Sequence, residues 1–269
     1  MTPVFTIIIP IYNVAIWLRD CLDSVLAQVC CDWECICVDD GSTDGGGSVL
    51  DRYVEECKNR AAGRFKVIHQ RNCGVALARN VALDNARGDW VVFLDADDCI
   101  QSNVLSRALR AIEKHRDVDL LSIGLEYFNS DLPVVDDCLK DDIVVDISRH
   151  ILYEVDEKGF TQFIYRRSLI GGLRFPPYVM GEDRLFKTWI LLRASKIVHL
   201  NGVEYFYRIR SGSAINGKRN WRKWYDDLRH SVRRLWALFL SRKNIEWRIY
   251  RHQYGLMLRL LQGIVHIEF

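Results

Sequence analysis

Long apolar runs are missing from this 269-residue chain: no stretch of about 18 or more apolar residues occurs, so no segment reads as a membrane-spanning helix. No Asn-X-Ser/Thr sequon occurs, and nothing marks a secreted protein. The opening MTPVFTIIIP carries no basic region ahead of its apolar stretch and no small-residue cleavage site behind it, so a signal peptide is not expected. The phosphate loop GxxxxGK is absent, and Gly45-Gly46-Gly47 fails the GxGxxG spacing because position 50 is Leu, which argues against NTPase and dinucleotide-binding readings. No CxxC pair is present either. The nine cysteines (Cys21, Cys30, Cys31, Cys35, Cys37, Cys57, Cys73, Cys99 and Cys138) are odd in number. The cluster at 30–37 could suggest zinc, but Cys35 and Cys37 alternate within an apolar strand pattern. Reduced core thiols in a reducing compartment are the reading adopted. Charge of one sign is lacking as well: 37 Lys and Arg against 35 Asp and Glu leave +2, which points to no particular partner. A cytoplasmic protein without internal repeats is the expectation.

What is present is the material of a folded domain, 49% apolar and 27% charged residues, at a length that suits one large α/β domain with an appendage or two small ones. Short apolar runs alternate with amphipathic segments through the first half, the pattern of strand-helix-strand units around a parallel sheet. Strands are expected at Val4–Ile9, Cys35–Val38, Phe65–Ile68, Trp90–Leu94 and Val118–Ile123. Helices are expected at about 16–28, after an N-cap offered by Ser42, Thr43 or Asp44, at Gly74–Ala86 with Gly88 as its C′ glycine, and at Asn103–His115. Residues 126–158 are acidic and turn-rich and read as an excursion or lid. Phe160–Tyr165 returns as a strand and Asp183–Arg193 as a helix. Ile197–Leu200 and Val203–Ile209 read as two strands separated by an Asn201-Gly202 turn.

Three acidic clusters fall where elements of this pattern meet: VDDGSTD (Val38–Asp44), FLDADD (Phe93–Asp98) and GEDR (Gly181–Arg184). In an open parallel sheet the crevice beyond the carboxyl ends of the strands is where ligands bind. The first cluster could be an ordinary strand-to-turn corner. The second packs three carboxylates against a buried strand, where mutual repulsion calls for a cation. A hard divalent ion with oxygen ligands, Mg²⁺ or Mn²⁺, fits, and its open positions are usually filled by substrate phosphates, which points to a diphosphate ligand.

Six collinear motifs, IIIPIYN (Ile7–Asn13), WLRDCLDSVLAQ (Trp17–Gln28), VDDGSTD, NCGVALARNVAL (Asn72–Leu83), ARGDWVVFLDADD (Ala86–Asp98) and GEDRLF (Gly181–Phe186), make the chain resemble a family 2 inverting glycosyltransferase of GT-A fold. YRIRSGSAIN (Tyr207–Asn216) resembles the end of such a transferase domain. The resemblance implies an α/β fold with a Rossmann-like, mostly parallel central sheet flanked by helices, followed by a C-terminal helical extension. It implies that Pro10 and Tyr12 hold the nucleotide base, with the Tyr ring stacked on a pyrimidine, and that Asp40, and with it Asp39, accepts a hydrogen bond from that base, usually uracil. Arg79 matches a donor-contacting position, against the alternative of a helix-surface ion pair. FLDADD matches the DxD motif, with Asp95 facing the ribose and Asp97 ligating the metal; Asp95 and Asp97 are together the metal candidates.

The resemblance places the general base in the ED motif, at Asp183, with Glu182 beside it, whose charge could raise the pKa of Asp183. The ordinary alternative is that both acids simply favour a helix N-terminus. Arg208, Arg210, Ser211 and Ser213 are candidates to close over the phosphates, against a mere strand end. The expected reaction transfers a sugar from a nucleotide donor, a UDP-sugar, to a hydroxyl acceptor with Mn²⁺ or Mg²⁺, in assembly of a cell-surface polysaccharide or glycolipid, with a lipid-linked saccharide among the acceptors considered. A sugar nucleotidyltransferase is the enzymatic rival, but it expects a Gly-rich basic loop where this chain reads IPIYN. A non-catalytic nucleotide-sugar-binding scaffold is the other.

Residues 1–217 are read as the transferase domain, 1–125 as its nucleotide-binding half and 126–217 as its acceptor half. Residues 218–269 carry twelve Lys and Arg against four Asp and Glu, with Trp221, Trp224, Trp236 and Trp247 among them. Two amphipathic helices would suit an anionic bilayer at the inner face of the membrane, or would pack on the catalytic domain or a second subunit. No recognition motif accompanies the charge, so nucleic acid is not an expected partner.

Overall fold

The computed structural model describes residues 2–129, 133, 142–146, 158–177 and 181–210; the expectations for Ser211, Ser213, Cys138 and 218–269, and for most of the 126–158 excursion, lie outside the described residues. The first strand, β1 (Phe5–Ile11), shows why it must be central. Its run of Ile leaves no polar face, and Ile7, Ile8, Ile9 and Ile11 are all fully buried. It pairs in parallel with β2 (Trp33–Asp39) on one side and β4 (Trp90–Phe93) on the other, and β3 (Phe65–His69) extends the sheet beyond β2.

Among the described residues this sheet has eight strands in the order β3-β2-β1-β4-β9-β6-β10-β8, with β6 (Leu120–Ser122), β8 (Ile143–Asp146), β9 (Phe163–Arg166) and β10 (Lys196–His199). Only β9, wedged between β4 and β6, and β8 at the far edge run antiparallel to their neighbours. A second sheet of three strands, β5 (Cys99–Ile100), β11 (Tyr205–Arg208) and β7 (Leu125–Phe128) in the order β5-β11-β7, lies beyond the carboxyl end of β4.

Side-chain alternation divides the core into two layers. Ile7, Ile9 and Ile11 join Cys35 and Cys37 under α1 (Ala15–Leu26), α2 (Gly46–Glu56) and α5 (Val104–Lys114). Ile8, Ile36 and Val38 point the other way, under α4 (Val75–Asn85) and α7 (Glu182–Arg193). Two short helices, α3 (Lys58–Ala61) and α6 (Arg167–Ile170), complete the set among the described residues. In the second layer Phe93 meets Phe160, Phe175 and Phe186 at centroid distances of 4.9, 5.4 and 5.9 Å, and Phe175 stacks on Phe186 at 3.9 Å. This aromatic bed ties β4, the loop before α7 and α7 itself into one unit.

Four expectations need correction. The residue that precedes α2 is Gly45, at φ 88°, not Ser42, Thr43 or Asp44. Asp44 instead accepts from the amides of both Gly46 and Ala15, so one carboxylate serves the first residues of two helices. Gly88 does not sit in the left-handed region; a Cβ there would lie 2.6 Å from the backbone of Phe5 and Thr6, so its glycine is dictated by close approach of two chains. Phe160 opens a 3-10 turn rather than the strand, which starts at Phe163. β10 and β11 do not pair with each other: β10 lies in the large sheet and β11 in the small one. Gly202 between them is crowded by the buried Arg107–Glu204 ion pair, which draws the chain across from one sheet to the other.

Candidate active site

Because β1 sits between β2 and β4, the loops leaving their carboxyl ends start side by side. Pro10 lies opposite Val38 in the β1–β2 pairing, and Tyr12, just past the strand, is 48% exposed at this rim. The next residue, Asn13, turns back at φ 53°, and its side-chain oxygen accepts from the Thr43 amide while its own amide donates to the Ser42 hydroxyl. The loops after β1 and β2 are thereby laced together at the residue that follows Tyr12.

The two acids that end β2 have different surroundings. Asp39 accepts from the Ser42 amide and sits 2.9 Å from His69 Nδ1, while His69 Nε2 reaches Asp51 at 3.0 Å. Burial alone would raise the Asp39 carboxyl; the Ser42 and His69 hydrogen bonds outweigh it and hold the group below its ordinary value. His69 in turn is raised, first by Asp39 and then by Asp51. Asp40, buried, accepts from Gln70 Nε2 and from the amides of Cys73 and Gly74, at 2.7 to 2.8 Å. It pins the loop that leads into α4, which leaves about one of its four lone-pair sites for a ligand. Nothing in the sequence marked His69 as part of this arrangement.

The three acids beyond β4 are also distinct. Asp95 accepts from Arg79 Nη2 at 2.9 Å and keeps about a third of its side chain in solvent. Asp97 lies 2.5 Å from Arg210 Nε; burial and the charge of Asp95 push its carboxyl up, and Arg210 opposes that shift. Asp98 is the most enclosed, accepting from the Tyr205 hydroxyl at 2.6 Å and the Arg208 amide at 2.8 Å. Its carboxyl is pushed up to about 8, by burial first and then by Asp95 and Asp97. Asp98 thus fastens β11 under the acidic loop rather than presenting an oxygen to a ligand. Arg208, an expected phosphate contact, is buried and spends its Nε on the Asp97 carbonyl and its Nη2 on Asp20.

Arg79 projects from α4 into the interior, stacked over Phe160 and Phe175 at 4.7 and 5.5 Å. It is not the helix-surface ion pair. Its Nη1 donates to Glu182 Oε1 at 3.0 Å while its Nη2 holds Asp95, and its Nε has no hydrogen-bond partner among the described residues. One buried guanidinium therefore joins motifs that stand 87 positions apart in the chain. Glu182 is almost fully enclosed, and its carboxyl is pushed up to about 7 by burial and by Asp183, against the pull of Arg79. Asp183, one residue into α7 and half-buried, uses one oxygen on the amide of Arg184. Its charge reaches Glu182, Arg79 and Tyr165.

A mixed sheet with this order, carrying its acids on the loops past the central parallel strands, is the GT-A architecture. The glycosyl transferase family 2 model matches residues 6–170, and the chain belongs to that family. Glycosyltransferase GlyA of Streptococcus pneumoniae serotype 4 is 32% identical over 224 residues, 77% of this chain; the chain spans 31% of GlyA's length. Staphylococcus aureus TarS, residues 1–349, solved with UDP-GlcNAc, is 26% identical with a TM-score of 0.71, covering 96% of this chain and 71% of that one. Mannosyltransferase PcManGT of Pyrobaculum calidifontis, solved with GDP-Man and Mn²⁺, shares the fold at 20% identity and a TM-score of 0.58, covering 90% and 73%. No helix among the described residues is long and apolar enough to cross a membrane.

Proposed function

We propose that this chain is an inverting glycosyltransferase that moves a sugar from a UDP-linked donor to a hydroxyl acceptor in synthesis of a cell-surface polysaccharide or glycolipid. The observation that carries the reading is the buried Arg79 bridge, which brings the acids beyond β4 and the acid pair heading α7 to one place. A UDP donor is favoured because TarS, a relative at 26% identity over nearly the whole chain, binds UDP-GlcNAc. In this reading Tyr12 stacks on the uracil, and Asp39, with Pro10 beside it, reads the base edge. Asp40 serves the same end indirectly by fixing the 70–74 loop.

The donor set also fits a divalent cation. No three His, Cys, Asp or Glu side chains converge in ligand geometry among the described residues. Two carboxylates, Asp97 and the free oxygen of Asp95, leave most coordination positions for phosphate oxygens and water, the arrangement Mg²⁺ and Mn²⁺ favour over an all-protein cage. When bound, such an ion would neutralise charge on the leaving diphosphate. Asp183 is assigned as the general base: it takes the proton of the acceptor hydroxyl as that oxygen attacks the anomeric carbon. Glu182 is the less suitable of the pair, because its carboxylate is already bonded to Arg79; it holds the α7 N-terminus, and so Asp183, in register with Asp95. A single displacement inverts the anomeric centre, so an α-linked donor gives a β-linked product.

The catalytic unit proposed is residues 1–217. The basic segment 218–269 is assigned to an anionic membrane surface, an assignment withdrawn if the protein ignores anionic vesicles at low salt. The donor reading is tested by thermal unfolding with UDP, GDP, dTDP and CDP, each with Mn²⁺ and then with chelator. Ligand at a hundred times Kd stabilises by about 2.7 kcal/mol, roughly 5–10 °C for a chain of this size. A rise with UDP that disappears on chelation supports donor and metal together; no rise with any nucleotide refutes both.

A further inference from the structure

The three carboxylates beyond β4 differ in how replaceable their partners are. Asp98 is fastened by a buried tyrosine hydroxyl and a backbone amide, neither of which can leave without unpairing β11. Asp95 is held by Arg79, which is locked by Glu182 on one side and by two phenylalanine rings on the other. Asp97 alone is neutralised by a side chain near the surface. Arg210 lies beyond the last residue of β11, keeps about a quarter of its side chain in solvent, and is otherwise steadied by the Trp17 ring at 4.8 Å. Its ion pair with Asp97 is close and is the one it makes among the described residues, so no second carboxylate locks it as Glu182 locks Arg79.

We propose that Arg210 and the divalent cation are alternative counter-ions of Asp97, so that Arg210 must leave this carboxylate when the cation takes it. This rests on the assignment of Asp97 as a metal ligand made above. A guanidinium at 2.5 Å occupies the Asp97 Oδ2 position and repels an ion brought to either oxygen of this carboxylate; Arg79 does the same on Asp95 but is locked there by Glu182, so Arg210 is the one of the two that can give way. A donor diphosphate alters the balance by offering the displaced guanidinium an anionic partner of matching fork geometry. Nucleotide and metal then favour each other's binding, and by linkage the effect is reciprocal. Arg210 is thus a positioning residue that makes metal binding depend on the nucleotide, distinct from Arg208, which is committed to the loop backbone.

The test measures free Mn²⁺ by electron paramagnetic resonance, with and without UDP, on the full chain and three variants whose folding is checked by thermal unfolding. Arg210→Gln is expected to bind Mn²⁺ without nucleotide on the order of tenfold more tightly, and to lose a similar factor of the enhancement that UDP gives. Arg210→Lys, which keeps the charge, is expected to stay close to the parent protein. Asp97→Asn separates the two assignments: if it leaves Mn²⁺ binding unchanged, the metal assignment of Asp97 falls. If Asp97→Asn weakens Mn²⁺ binding while Arg210→Gln matches the parent, or Arg210→Lys behaves as Arg210→Gln does, the metal assignment stands and the competition is overturned.

Discussion

Replacing Arg79 by Met gives the sharpest separation between structural and functional electrostatics in this molecule. The guanidinium is 5% exposed and holds two carboxylates, Glu182 at 3.0 Å and Asp95 at 2.9 Å, with the Glu182 side chain nearly as buried as its own. Removing one partner of a buried ion pair costs about 3–5 kcal/mol, because the other is left uncompensated. Two features place the expected loss near the lower end. Asp95 is a third exposed and can be rehydrated, so its half of the interaction is screened, and Glu182, already pushed up to about 7, can take up a proton. A loss of about 3 kcal/mol corresponds to roughly 6–12 °C in Tm at this size. Methionine suits the site because it keeps contact with the Phe160 and Phe175 rings. The double variant Arg79→Met/Glu182→Leu leaves no buried charge behind and is expected to regain most of the stability. It regains none of the UDP affinity, because Asp95 has still lost its partner. Thermal unfolding and UDP titration on the parent, single and double variants read both quantities. If the double variant is as unstable as the single one, the buried charge is not the cause of the loss. If UDP affinity returns with stability, Arg79 matters to the donor site only through folding.

Further outcomes follow from the same geometry. Asp183→Asn is expected to bind UDP as the parent does while transfer falls by about 10²–10⁴-fold, the usual contribution of a positioned base; parental turnover by this variant removes Asp183 from that role. The product from an α-linked donor should show a β-anomeric proton coupling by NMR, and retention would contradict single displacement. Glu182 has a folded pKa raised above its unfolded value, so its contribution is fully present below about pH 4.5 and is lost as pH rises towards 7. The stability difference between the parent and Glu182→Gln should therefore shift against the parent across that window, and a difference flat in pH would contradict a raised carboxyl. Gly88→Ala is expected to destabilise by about 1–3 kcal/mol, since its Cβ would meet immovable backbone at 2.6 Å; parental stability would show that β1 and the β4 lead-in can separate.

The longer strands and helices of the first 123 residues, the parallel centre and the places where acids gather were legible in the sequence, because they depend on periodicity and on neighbours a few residues apart; the short strands β5, β7 and β8 and the second sheet were not. Ile7–Ile9 announces a strand buried on both faces wherever it folds, and an acid cluster directly after Val91–Leu94 must fall at a sheet edge. Partner choice was not legible, because it is set by residues distant in the chain. Asp39 and Asp40 are adjacent in sequence, yet one meets His69 and the other pins the 70–74 loop, a difference made by the strand pairing of β2 with β3. Asp95, Asp97 and Asp98 look alike as letters; packing gives one a locked arginine, one a replaceable arginine and one a tyrosine. Gly88 was placed correctly near the end of a helix and explained wrongly, since the strand it touches lies 82 residues earlier. The sequence by itself determined which side chains carry charge to the carboxyl edge of the sheet. Only the tertiary structure decided which of those charges are spent on holding the protein together and which remain for a ligand, because burial and counter-ion geometry exist only once distant segments are packed.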